Sequence, residues 1–599
     1  MCFVNGLENE MKEHLSEESY NEAVRLNRLL VDVKKPLDFV TQQGENYRKD
    51  VVMCVNSEYV YPMNGWFALD DVSLSTFRTT CDFPPQSGMS APCDTARINS
   101  ASAHSTVESL HTLSRHRKRF WTKNCVSYHK GFSLIGSYKK MFSQRVNISF
   151  IFSEIHNDKL IKDDPITGFF LLNRPCLLIR EVELIKKIFV RDFSSFSHRG
   201  FTIDPKCDPI VGNFLPLTSG VKCREFRGLY TKAFAFNKMH NHFDRIEKEL
   251  RGFEENLLRD LQPGQSNEYN IKLLSYEYCF KTVASAVFGI SSSDIVEEVF
   301  KTYKDITSSI DDFSLWQFAK FYLVISVPRL CRLFKIEVLE TKIKTILHTL
   351  FTTVLKERKR SGRQFDDFLD ILQRKGASNS EIFTEDTLIT QAGIICVLGT
   401  EAPSNVITFA LYEMAKNPAI QDKLRTAIID AFPKGISPTL RSIADVEYLD
   451  MVFKETLRFY PSVMFLDRVF DPDDELKTYS LEPYHSFKIP RGTLVFVSIY
   501  AYNRDPNIFA NPHEFDPENF SPNNINTIEP NFFMAFGLGP RYCPGRKFAE
   551  LQAKMALISI LQNFKVEECD KTPKELVLLN KKPGFLERAD PIILRFKRI

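Results

Sequence analysis

A mainly helical fold with small β-sheets, of the α+β class, is predicted by three observations. Long stretches repeat apolar residues at helical spacing, one of them, 381–416, is unusually long, and two short segments, 168–180 and 492–502, read instead as strands. With 599 residues, 43% of them hydrophobic and 26% charged, the chain can bury one large core and carry an extension. A net charge of +3 singles out no partner, and no nucleic acid is expected. Thirteen cysteines without a C-x-x-C pair argue against a disulfide framework or a structural zinc site. No run approaches the roughly 18 to 20 apolar residues that span a bilayer.

In chain order, residues 1–115 read as a separate, partly disordered extension: Glu8 to Lys35 has helical composition, and Cys81 to Ser114 is a Ser/Thr/Pro-rich linker. The main domain is 116–599. Across its border runs the basic cluster Arg115 to Arg119 followed by Phe120-Trp121, which is either a membrane-surface element or a solvated charge run. Gly168 to Arg180 gives two strands about the turn Asn173-Arg174-Pro175, and a helix is expected over Lys222 to Met239. Helical spacing continues through 241–261, 273–288, 295–310 and 339–360, then through 381–416 and 452–459. Gly492 to Tyr502 alternates as a strand, and Leu576 to Ile599 supplies hairpin strands with Phe585 near a turn.

The chemistry concentrates in Asn531 to Glu550, NFFMAFGLGPRYCPGRKFAE, an aromatic and glycine-rich loop that presents one sulfur, Cys543, at the start of a helix. Gly537, Gly539 and Gly545 permit backbone approaches a Cβ would block, and Pro540 and Pro544 stiffen the loop. Phe548, Leu551, Met555, Ile558 and Leu561 mark a helix from Arg546 to Phe564, whose amino terminus points back at the sulfur and favours thiolate. A lone thiolate in such a loop suits an axial ligand of haem iron, and Arg541 is placed to pair with a haem propionate.

Phe536, Gly539, Arg541, Cys543 and Gly545 fill every fixed position of F-x-x-G-x-R-x-C-x-G, so the chain resembles the cytochrome P-450 superfamily of haem-thiolate monooxygenases from about Phe120 onward. FALYEMAKNP, ETLRFYPS and AFGLGPRYCPGRKFA are most similar to animal microsomal members, particularly the insect group linked to detoxification. The resemblance implies a haem b held between the long central helix and the cysteine-loop helix. Cys543 is then its metal ligand, with Phe536, Gly539, Arg541 and Gly545 around the cofactor. It adds Arg227 and Arg468 as further propionate partners, and makes Tyr460 to Arg468 the loop after the 452–459 helix, with Val463 to Leu466 at the border of the substrate pocket.

Four positions depart from the family pattern, one of them Leu398 where [AG]-G-x-[DE]-T begins with Ala or Gly. Cys223 replaces the tryptophan of W-x-x-x-R, although Arg227 is retained. Asn519 replaces the arginine of P-E-R-F, which usually joins a buried E-x-x-R pair, here Glu455 and Arg458, leaving only a neutral hydrogen bond to that pair. In LGTEAPSN, residues 398–405, Gly399 and Glu401 match [AG]-G-x-[DE]-T but Ala402 replaces the threonine whose hydroxyl organises water. Thr400 and Ser404 lie about 200° around the helix from Ala402 and are poor substitutes, whereas Asn405 shares its face. Pro403 removes the amide that would bond the Gly399 carbonyl, so the helix is expected to bend or widen there. Glu401 and Asn405 are therefore the candidate catalytic groups, with Gly399 and Asn405 partly replacing the missing hydroxyl.

The implied reaction inserts one atom of O2 into a lipophilic small molecule, with electrons from NADPH through a separate NADPH-cytochrome P-450 reductase carrying FAD and FMN. That partner would dock near Arg224, Arg546 and Lys547. The resemblance also implies a peripheral place at the membrane surface, on the cytosolic face of the endoplasmic reticulum. Because Ala402, Cys223 and Asn519 depart together, a second class stays open: a haem-binding sensor or carrier, or a haem-thiolate isomerase or dehydratase with impaired oxygen activation.

Overall fold

The computed structural model describes residues 119–129 and 147–599, with breaks chiefly at 172–173, 291–319, 325–330, 526–532 and 580–586. The extension 1–115, the 295–310 helix and Phe585 lie outside the described residues. The longer helices, in chain order, are α1 (Ile148–His156), α2 (Gly220–Ala233), α3 (Met239–Arg259), α4 (Ile271–Phe288), α5 (Thr341–Ser361), α6 (Phe368–Ser378), α7 (Glu385–Lys416), α8 (Pro418–Ala431), α9 (Glu447–Phe459) and α10 (Arg546–Asn563). A four-stranded sheet has the order β1 (Ile166–Leu171), β2 (Arg174–Ile179), β7 (Leu494–Ser498), β4 (Phe465–Val469). A second sheet joins β3 (Ser266–Asn270), β11 (Ile593–Arg598) and β8 (Phe564–Glu567), and β5 (Thr478–Ser480) pairs with β6 (Lys488–Pro490). The two-residue pair β9 (Leu578–Leu579) and β10 (Glu587–Arg588) completes the strands.

Local chemistry sets most of these limits. The Thr384 side chain accepts from Thr387 N–H and starts α7, and Asn147, a fully buried cap, does the same for α1 from Ser149 N–H. Expected boundaries move where tertiary packing intervenes. The 222–239 helix stops at Ala233 and a short 3₁₀ turn, Phe236–Lys238, precedes α3. The 492–502 strand ends at Ser498, whose hydroxyl accepts from Ala501 N–H and begins the one-turn helix Ile499–Tyr502. Phe465 to Arg468, expected as loop, is the edge strand β4, antiparallel to β7 with Arg468 opposite Val495.

Trp121 is fully buried. A Cβ on Gly168 would lie 2.5 Å from its Cδ2, so that glycine makes room for the indole, whose ring meets Phe170 and Phe487 edge-on. This tryptophan therefore belongs to the core and is unavailable to a membrane.

The expectation that no segment could span a bilayer needs one correction. By length and composition α7 would, but 67% of its apolar window is buried in the fold. It is a core helix, packed on α4, α5 and α10.

Candidate functional site

The cysteine loop is folded by its own backbone. Gly537 N–H donates to Met534 C=O (2.9 Å), Tyr542 N–H to Gly539 C=O (2.9 Å) and Cys543 N–H to Phe536 C=O (2.8 Å). Gly537 and Gly539 adopt φ of +81° and +61°, the left-handed region, and a Cβ on Gly539 would come within 2.2 Å of the Phe189 carbonyl oxygen. The close approach at Gly539 is thus to the Lys187–Arg191 turn of the protein itself. Phe536 stacks on Phe453 of α9 at 6.4 Å, with the Arg546 guanidinium 5.3 Å over its ring. Gly545 caps α10.

The sulfur of Cys543 receives the backbone N–H groups of Gly545 and Arg546 at the amino terminus of α10, and Arg227 lies nearby. These groups favour thiolate, yet burial outweighs them and the thiol's pKa is pushed above its ordinary value. The helix terminus thus favours thiolate as expected, but by itself it does not outweigh burial. A bound metal ion is the stronger deprotonating influence.

Beside the loop lies a group of arginines, Arg468 buried and Arg199, Arg227 and Arg541 half-buried, with too few counter-charges. Arg468 on β4 is 1% exposed and donates to the Asp467 carbonyl (2.7 Å). Arg541 donates to the Ser197 (2.8 Å) and Thr218 (3.0 Å) carbonyls, and Arg227 on α2 to the Tyr542 carbonyl (2.6 Å). Burial lowers the pKa of all three, and Arg199 acts on each as a like charge. Arg199 itself pairs with Asp467 (2.9 Å), whose other oxygen accepts from Gly200 and Phe201 N–H. The Nε atoms of Arg199 and Arg468 are buried without a partner among the described residues.

Unpartnered donors and surplus positive charge in one buried place fit a dianion such as the two propionates of a haem, and the sulfur stands on the same loop as Arg541. Arg199 was missed from the sequence. Its only signal was an arginine next to glycine inside the aromatic run Phe193 to Phe201, and the pairing with β4 is tertiary. Cys223, in the tryptophan position, is 5% exposed and lies close enough to influence Arg227, Arg468 and Arg541.

On the central helix α7 most residues are buried, but Val397, Leu398, Gly399, Glu401 and Ala402 keep partial access. Thr400 is fully buried and points away from Ala402, its hydroxyl without a partner among the described residues. Ser404 is also fully buried and donates to the Glu401 carbonyl (3.0 Å). Neither can stand in for the missing hydroxyl. Helix α7 runs continuously through Pro403. Glu401 and Asn405 are brought together by a residue not foreseen from the sequence: Lys272 Nζ lies 3.2 Å from Glu401 Oε2 and 2.5 Å from Asn405 Oδ1.

Behind the site, Arg458 and Glu455 form a fully buried bidentate pair with two bonds of 2.7 Å. Arg458 also donates to the Asn503, Pro512 and Glu514 carbonyls. Glu455 accepts from Asp516 N–H (2.8 Å) and Asn519 Nδ2 (3.3 Å), so Asn519 makes the neutral bond available to it. Among the described residues no group of three or more His, Cys, Asp or Glu side chains is arranged to hold a metal ion.

A sequence profile of the cytochrome P450 family matches residues 132–596. The chain belongs to the cytochrome P450 family. It is 29% identical to a probable cytochrome P450 6w1 of Drosophila melanogaster over 80% of this chain and 94% of that protein. It is 31% identical to a probable cytochrome P450 6v1 of the same organism over 77% and 92%, and 30% identical to cytochrome P450 6j1 of Blattella germanica over 78% and 91%. The α+β fold of this P450 and its class, monooxygenase and hence oxidoreductase, follow from that membership.

Proposed function

We propose that this P450 inserts one atom of O2 into a lipophilic small molecule, with haem b held through the sulfur of Cys543 and through Arg199, Arg227, Arg468 and Arg541. The observation that carries this reading is the arginine group with its two buried, unpartnered Nε atoms, beside a cysteine loop that fills the family pattern. When bound, the haem supplies the iron at which O2 is reduced. In net terms a C–H bond of the substrate becomes C–OH, the second oxygen atom leaves as water, and two electrons and two protons are consumed. Asp467 holds Arg199 in place, the Glu455–Arg458 pair braces the segment ahead of the loop, and Phe536 and Gly545 shape the loop around the sulfur. Glu401 takes up and releases protons, and Asn405, which shares a face of α7 with Ala402, orients water for that transfer.

The electrons come from NADPH through a reductase carrying FAD and FMN. Arg224 and Lys547 are exposed and suit an acidic docking surface, with exposed Phe236 beneath the Lys547 ammonium at 4.9 Å. Arg546, expected in the same role, is engaged by Glu550 (2.5 Å) and the Tyr542 hydroxyl and contributes less. Work at the cytosolic face of the endoplasmic reticulum membrane belongs to the same reading and rests on the family resemblance.

The deciding experiment is the spectrum of the carbon monoxide adduct of the reduced protein. A strongly red-shifted Soret band, lost in Cys543→Ser, is expected. Purified protein without porphyrin, or an unshifted band in the parent, would overturn the assignment.

A further inference from the structure

Lys272 stands in the first turn of α4, two residues after the cap Asn270, whose side chain accepts from Leu273 N–H. A cation at a helix amino terminus opposes the backbone dipole, and the rest of α4 is largely apolar and buried, so this residue invites an explanation. Its ammonium reaches across to α7. It lies 3.2 Å from Glu401 Oε2, 2.5 Å from Asn405 Oδ1 and 3.4 Å from Ser404 Oγ, which engages its three donors with three acceptors.

We propose that Lys272 is a positioning residue that ties the Glu401 carboxylate to the Asn405 amide and thereby makes Asn405 a fixed hydrogen-bond donor on the face of the central helix that carries Ala402. An ammonium cannot accept a hydrogen bond, so the amide atom facing it must be oxygen. The amide orientation is thus dictated by chemistry. The Asn405 NH2 group is left over, and it donates to none of the described residues. Asn405 is 9% exposed, at the end of the accessible stretch of α7, and shares a face with Ala402 one turn away. A threonine hydroxyl at 402 would both donate and accept. Here the two halves are separated: the amide donates, the Glu401 carboxylate accepts, and Lys272 holds them in one geometry. Water ordered between such groups is what Ala402 alone cannot provide.

This inference rests on the monooxygenase reading, and its test separates the two. Lys272→Met and Lys272→Arg are compared with the parent in the haem-loaded full chain, all three residue types being good helix formers. With a matched reductase and a turned-over lipophilic substrate, Lys272→Met is expected to raise peroxide released per NADPH at least fivefold, and Lys272→Arg to stay within twofold of the parent. A second readout needs no turnover: thermal midpoints of Lys272→Met, Asn405→Leu and the double variant. If Lys272 anchors Asn405, the double variant melts where the singles do rather than at the sum of their shifts. Additive shifts, or an unchanged peroxide ratio in Lys272→Met, would overturn the proposal. A parent that consumes no NADPH sinks the monooxygenase reading instead, and the midpoint cycle then decides the positioning role alone.

Discussion

Arg468 illustrates how much of this site is a matter of single charges. Burial and the neighbouring Arg199 and Arg541 pull its pKa well below the ordinary guanidinium value, so the cationic form is held at a cost when no anion is near. A dianionic cofactor reverses that sign. Replacing Arg468 by Met keeps the volume, relieves like-charge repulsion and removes a proposed propionate partner. The expected outcome is a smaller gap between the thermal midpoints of haem-loaded and haem-free protein, and cofactor retention weakened roughly tenfold to a hundredfold, about 1.4 to 2.8 kcal/mol. Haem transfer to an acceptor protein measures the second quantity. An unchanged gap would mean that Arg468 is structural. Arg227, Arg468 and Arg541 were singled out in the sequence because the family pattern marks them, and they are proposed as propionate partners; Arg199, which the structure sets beside them, was not, since its place depends on Asp467 more than 260 residues away.

At the scale of elements, α9 acts as a clamp. Its Glu455–Arg458 pair fastens the helix to the carbonyls of residues 503, 512 and 514, in the segment that leads toward the cysteine loop. With Asn519 in place of an arginine, Glu455 faces one cation, and its remaining bonds come from Asp516 N–H and the Asn519 amide. The two contributions separate by size. Glu455→Ala leaves Arg458 buried and unpaired and is expected to cost about 3 to 5 kcal/mol. Asn519→Ala removes a 3.3 Å neutral bond and is expected to cost about 1 kcal/mol. Urea unfolding of the two variants checks the order, and equal losses would show that the neutral bond had been undervalued. The pair itself was readable from its spacing; that its third partner survives as an amide depended on where the 3₁₀ turn Pro517–Phe520 packs.

For the whole molecule, acid stability has an identifiable contributor far from the sulfur. His156, at the end of α1, sits edge-on to Tyr502, and burial, aided by the Arg180 charge, pulls its pKa from 6.5 down to about 3. The unfolded chain therefore binds a proton below pH 6.5 that the folded chain refuses until about pH 3. Its contribution is fully present above pH 6.5 and is lost as pH falls toward 3, at about 1.4 kcal/mol per pH unit. His156→Phe keeps an aromatic ring there and leaves the Arg180 bond to the residue 156 carbonyl intact. Between pH 6 and 4.5 the variant's midpoint is expected to fall less steeply than the parent's. Parallel slopes would remove His156 from the account.

The sequence by itself determined the class of this protein, because the cysteine loop is local. Glycine, arginine, cysteine and helix start lie within ten residues, and their spacing carries the chemistry wherever the loop is placed. The long helices and the β1–β2 hairpin were equally local, being set by periodicity and caps. Tertiary structure decided what depends on residues distant in the chain. It ended the 222–239 helix early, made a strand of Phe465 to Arg468, and let burial override the helix dipole at Cys543. It also set Arg199 against Asp467 and brought Lys272 to Asn405. Charge compensation and desolvation act through space, and a linear pattern records neither.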